Sequence, residues 1–218
     1  MKTRTKALLM SLCAMLLVVG SVMGTMAYLT SKDQVVNTFT VGNVKITLDE
    51  KDVDHDTNSS DNTGSGSDIR DQANTYHLLP GRTIEKDPIV HVDPNSEDCI
   101  VFVKVENGLA ALEAATAEGG YQDISAQIAA NKWVLLDSEN NVYYYNTVVT
   151  KSAENKNLKV FKTFKVKDDV DGDTLKRFEN AEIRVTAYAV QAEGFVKEST
   201  ELADAAKAAW DANFTVIH

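Results

Sequence analysis

Apolar and polar residues alternate along much of this chain, and the period of the alternation changes at definite places. Phe39 and Val41, then Val44, Ile46 and Leu48, are separated by polar residues, and a period of two marks strands with one buried face. Gly42-Asn43 between the two sets predicts a turn or a bulge. Thr83 to Val92 reads as extended, with Pro88 pointing to a sheet edge or a bulge. Cys99 to Val105 is β-branched and apolar on both faces at its start, which predicts a strand at the centre of the fold. Trp133–Leu136 and Val142–Val149 flank the polar loop Asp137-Ser-Glu-Asn-Asn141, a hairpin pattern. Tyr143, Tyr144 and Tyr145 are consecutive, so at least one ring must face away from the other two. Leu158, Val160, Phe164 and Val166 share one strand face. In Ala181–Gln191, Ile183, Val185, Ala187 and Ala189 point inward, and Glu182, Arg184, Thr186 and Tyr188 point outward.

Elsewhere the period is helical or absent. Leu109, Leu112, Ile124 and Ile128 recur at helical spacing within an Ala-rich insertion, residues 108–130, which Gly119-Gly120 divides into two short helices packed across one sheet edge. After Gly194, a cap at Ser199 or Thr200 opens a C-terminal helix, residues 199–213, with the stripe Leu202, Ala206, Ala209 and Trp210. Residues 50–75 are a low-complexity Asp/Ser/Asn/Gly tract with almost nothing to bury, which predicts a flexible surface loop. The expected fold is mainly β: an antiparallel, jelly-roll-like β-sandwich of about eight strands, with short inserted helices and a C-terminal helix.

The N-terminus changes the picture. Lys2, Arg4 and Lys6 precede an uncharged run from Ala7 to Tyr28, and Thr25-Met26-Ala27 puts small side chains where a signal peptidase needs them. This is the layout of a secretory signal peptide, residues 1–27, cut between Ala27 and Tyr28. The uncharged run is also just long enough to cross a bilayer, but its glycines and its small-residue exit select cleavage, leaving no stable membrane anchor. Residues 28–218 then form a single domain whose new end, Tyr28–Val44, reads as an extended segment. Gln34, Val35, Val36, Asn37, Thr38 and Phe39 are its candidate donor strand.

Charge and candidate chemistry add mostly exclusions. The chain carries 22 Lys+Arg against 32 Asp+Glu, a formal net charge of −10, and loss of the three basic leader residues makes it about −13. Phosphate backbones would be repelled, so nucleic acid is not an expected partner. Only Cys99 follows the leader, opening an apolar run, and reads as a small buried hydrophobe. His55, His77, His91 and His218 are never spaced as ligands on one helical turn. Asp52, Asp54, Asp56 and Asp61, and Asp168, Asp169, Asp171 and Asp173, form acidic runs. Neither matches a calcium loop, since Thr174 stands where glycine is required, and both read as solvated charge. There is no nucleophile elbow, no Cys–His arrangement with local support and no phosphate loop, so no catalytic residue and no cofactor is expected.

Gly24-Thr-Met-Ala-Tyr-Leu-Thr30 and Val36-Asn-Thr-Phe-Thr-Val-Gly-Asn-Val44 resemble the start of the TasA/camelysin family. The resemblance continues through Pro80-Gly-Arg-Thr-Ile-Glu-Lys-Asp-Pro88 and Val101-Phe-Val-Lys-Val-Glu-Asn107, and ends with Ile183-Arg-Val-Thr-Ala-Tyr-Ala-Val-Gln-Ala192. It implies an exported protein of Gram-positive bacteria, processed by the signal peptidase SipW and placed at the cell surface or in the biofilm matrix. It also implies a jelly roll and homo-oligomers or fibres, in which the N-terminal strand of one subunit completes the sheet of the next. Camelysin-like members carry a metallopeptidase label, an alternative for which this sequence supplies no ligand set. A monomeric extracellular binding module, using the Tyr143–Tyr145 strand or the acidic loop, is the third reading.

Overall fold

Strands form where the alternation places them, but several are shorter than it suggests. The computed structural model describes residues 40–41, 43–53, 69–72, 74–116 and 120–214, all within the unit Thr38–His218. These residues are mainly β. The strands are β1 Thr40–Val41, β2 Ile46–Lys51, β3 Arg70–Asp71, β4 Thr83–Glu85, β5 Ile89–Val92, β6 Cys99–Asn107, β7 Trp133–Asp137, β8 Val142–Tyr145, β9 Asn157–Lys159, β10 Thr163–Lys165 and β11 Ile183–Gln191. The helices described are α1 Ile124–Ala130, α2 Gly172–Lys176 and α3 Leu202–Phe214, with a 3-10 turn at Ala110–Leu112.

One sheet runs in the order β1-β11-β6-β8-β7, a second in the order β3-β2-β5-β9, and β4 pairs with β10 apart from both. All pairings are antiparallel except β1 on β11, which is parallel. β6 is the centre of the five-stranded sheet, paired along its whole length with β11 from Cys99↔Gln191 to Asn107↔Ile183. Its unbroken apolar start follows from burial on both faces. Val101, Val103 and Val105 point into the main core with Val185, Ala187 and Ala189 of β11, Val90 of β5 and Leu158 of β9. Ile100 and Phe102 point the other way, into a second core with Tyr144, Val190, Ala206 and Ala209. Helix α3 covers that outer face. Its Trp210 and Phe214 rings lie 5.4 and 6.2 Å from the Phe102 ring. The three tyrosines divide as the pleat requires: Tyr143 and Tyr145 belong with the main core, Tyr144 with the second.

The departures have local causes. Thr83 to Val92 is two strands in different sheets, broken at Lys86-Asp-Pro88, because Pro88 cannot donate to a ladder. The stretch expected as one strand from Leu158 to Val166 is likewise two, β9 and β10. Val160 and Phe161 are both buried, so the alternation breaks where the chain leaves one sheet for another pairing. These breaks, and the two-residue strands β1 and β3, raise the strand number above eight. Among the described residues of the 108–130 insertion are the helix α1 and the 3-10 turn Ala110–Leu112, the latter where an α-helix was expected. Asp123 caps α1 by accepting from Ala126 N at 2.8 Å. Gln127 of this insertion and Asn131, the residue that ends α1, hydrogen-bond the backbone of residues 160–163, closing the junction between β9 and β10. The C-terminal helix starts at Leu202, three residues later than expected, and reaches Phe214. α2, absent from the sequence reading, is a single turn capped by Asp171, which accepts from Thr174 N at 2.7 Å. The 50–75 tract is not loop at its ends: Glu50 and Lys51 are in β2, opposite Asp71 and Arg70 of β3.

Candidate functional site

The candidate site of the sequence reading is the N-terminal strand and the sheet edge it meets. Ala27, Tyr28 and the donor-strand residues Gln34, Val35, Val36, Asn37, Thr38 and Phe39 lie outside the described residues. The continuation of that strand is described. Thr40 lies opposite Ala189 and Val41 opposite Val190, in parallel. On its other side β11 is fully paired with β6. Among the described residues, no strand pairs with Ile183–Tyr188 on the β1 side. An edge of this kind carries backbone donors and acceptors that another strand can use.

A second cluster was not foreseen. It surrounds the end of β2, where successive side chains point to opposite faces. Asp49 points outward. It accepts from Arg70 Nε and lies 2.9 Å from His91 Nε2. The same guanidinium donates to the Asp49 and Asp87 carbonyl oxygens at 3.2 and 3.1 Å and to Asp87 Oδ2 at 3.3 Å. His91 Nδ1 lies 2.8 Å from Asn157 Oδ1 on β9. One arginine thus ties β3 to β2 and to the Asp87 turn, and one histidine ties β5 to its two neighbours. Burial alone would raise the Asp49 carboxyl, but the His91 and Arg70 hydrogen bonds outweigh it and hold it below the usual range. The hydrogen bond to Asp49 raises His91 above its ordinary value despite partial burial.

Glu50 points inward. It is only 5% exposed and holds Lys86 Nζ on Oε2 at 2.5 Å, with Asn74 Nδ2 on Oε1 at 3.0 Å. The sequence carried a signal for this residue: Glu50 keeps the inward phase of Ile46 and Leu48, so a charge stands at a core position. Asp49, Arg70, Asp87 and His91 gave no such signal, because their contacts join residues 17 to 42 positions apart.

The remaining candidates stay separate. Cys99 is buried and unpaired, and burial pushes its thiol up to about 12, far from the reactive thiolate. His77 is exposed, and His55 and His218 fall outside the described residues. Among the described residues no group of three or more His, Cys, Asp or Glu side chains is placed to hold a metal ion, and no helix is long and apolar enough to cross a membrane. An open groove of about 460 Å³ runs beside β4, lined by Tyr76, His77, Arg82 and Ile84 among others. Pro80-Gly81 makes the predicted turn at its rim, with Gly81 at φ +72°.

Comparison with known proteins adds no assignment: no protein-family model matches the chain, and no curated protein or solved structure matches it.

Proposed function

We propose that this chain is an exported structural protein of the cell surface or biofilm matrix, similar to TasA. In this reading it is a jelly-roll-like β-sandwich that assembles by lending its processed N-terminal strand to a neighbouring subunit. The observation that carries the reading is the parallel pairing of Thr40–Val41 with Ala189–Val190, next to the Ile183–Tyr188 edge. Carried upstream residue for residue, that register would set Gln34 opposite Ile183 and Phe39 opposite Tyr188. The six residues of the candidate donor strand match the six edge positions. They are uncharged, so they can approach an acidic molecule without repulsion. The leader pattern, with its cut after Ala27, would create the free end that such an exchange needs.

The test is a deletion. Secreted protein and a variant lacking residues 28–38 should give the same far-UV circular dichroism, because the described residues of both cores all lie later in the chain. Only the parent should form fibres under the electron microscope. Equal fibres from the truncated variant would remove the proposal.

A further inference from the structure

Glu50 does more than balance one charge. Its two oxygens hold two different groups: Oε2 accepts from Lys86 Nζ at 2.5 Å, while Oε1 accepts from Asn74 Nδ2 at 3.0 Å and from the Tyr76 hydroxyl at 3.3 Å. An amine and a carboxamide therefore meet on one buried carboxylate. The carboxamide is fixed at both ends. Asn74 Oδ1 accepts from Val53 N at 2.8 Å, and Nδ2 also donates to the Lys51 carbonyl at 3.0 Å. Water is largely shut out: the Lys86 side chain is 12% exposed, and its Nζ lies 5.5 Å from the centre of the Tyr76 ring. An ion pair needs only Glu50 and Lys86. Amide exchange needs more: a nucleophile, an electrophile, a proton carrier on both, and a donor at the oxygen where charge develops. All four are present here.

We propose that Lys86 and Asn74 join through a self-catalysed isopeptide bond, with Glu50 as the catalytic proton carrier. Glu50 takes a proton from the Lys86 ammonium, and the freed lone pair on Nζ attacks Asn74 Cγ. The oxygen of the resulting tetrahedral centre is held by the Val53 N–H. Glu50 gives its proton to Nδ2 and takes the second from Nζ, and the Cγ–Nδ2 bond breaks. The leaving ammonia carries that last proton away as ammonium and restores the carboxylate. The Nζ–Cγ bond is formed, the Cγ–Nδ2 bond is broken, and nothing is oxidised or reduced. The product closes a covalent ring from Asn74 to Lys86. It would staple the segment behind β3 to the break between β4 and β5, in a chain whose described cysteine is buried and unpaired. The bond does not depend on whether the chain polymerises.

The test is the intact mass of the purified secreted protein, compared with its own sequence once its N-terminus has been fixed by sequencing. It should fall short of its sequence by one ammonia, and digestion should release a branched peptide joining the Asn74 and Lys86 segments. Glu50→Gln and Lys86→Arg, checked for folding by circular dichroism, should show the full mass. Asn74→Asp should lose water in place of ammonia. Full mass with linear peptides in the parent protein overturns the proposal. So does ammonia loss confined to a linear Asn74 peptide, or ammonia loss that persists in Lys86→Arg, the variant that decides the matter should Glu50→Gln not fold.

Discussion

His91 Nε2 lies 2.9 Å from Asp49 Oδ1, and the other ring nitrogen lies 2.8 Å from Asn157 Oδ1. Both nitrogens face acceptors, an arrangement that the doubly protonated ring satisfies best. His91 is raised in the fold, mainly by its hydrogen bond to Asp49, so its contribution is complete below about pH 6.5, the unfolded value. It is lost as pH rises through the folded value. Asp49 is lowered, so its contribution is present above about pH 4 and lost as pH falls through its folded value. This pair should therefore contribute most in mildly acidic solution. Between pH 5.5 and 8 the melting temperature should fall by about 2–4 °C, the equivalent of about 1 kcal/mol in a chain of this size. His91→Gln should flatten that slope. An unchanged slope in the variant would assign the effect elsewhere.

Arg70 carries the link between β3 and the rest of its sheet. Arg70→Ala leaves Asp49 and Asp87 partly buried beside one another without their shared cation. The expected loss is about 2 kcal/mol in urea unfolding, below that of a fully buried pair because water reaches these groups. Arg70→Lys should recover only part of it, since an ammonium cannot reproduce the guanidinium fork.

Phe102 joins the five-stranded sheet to α3. It is fully buried and lies within 6.2 Å of both Trp210 and Phe214. Phe102→Ala should cost about 3–5 kcal/mol. It should also loosen the helix, seen as faster amide exchange in Leu202–Phe214 than in β6. Uniform loss across both would mean that the helix and sheet unfold as one unit.

Sequence periodicity captured the parts of the fold with sustained patterns. β6 and β11 each keep their phase for nine residues, and α3 keeps an alanine stripe. It missed the places where the chain changes sheets. Val160 and Phe161 are consecutive and both buried, and Pro88 interrupts an otherwise even alternation, so each pair of short strands read as one. The polar clusters were hidden for a different reason. Asp49 has the outward phase of any solvated residue, and its partner Arg70 stands at the far end of an Asp/Ser/Gly tract. Glu50 alone left a trace, as a carboxylate in the inward phase of Ile46 and Leu48, although its composition placed it in the flexible tract.

The most direct test of the proposed assembly asks whose N-terminal segment occupies the β11 edge. Carrying the Thr40–Ala189 register upstream sets Asn37 opposite Thr186. Asn37→Cys protein mixed with Thr186→Cys protein under mild oxidation should yield disulfide-linked dimers, and Cys99, being buried, should stay out of the reaction. No linked dimer in the mixture, with ring closure inside the monomer of the double variant, would mean that each segment pairs at home and that the proposed strand exchange does not occur.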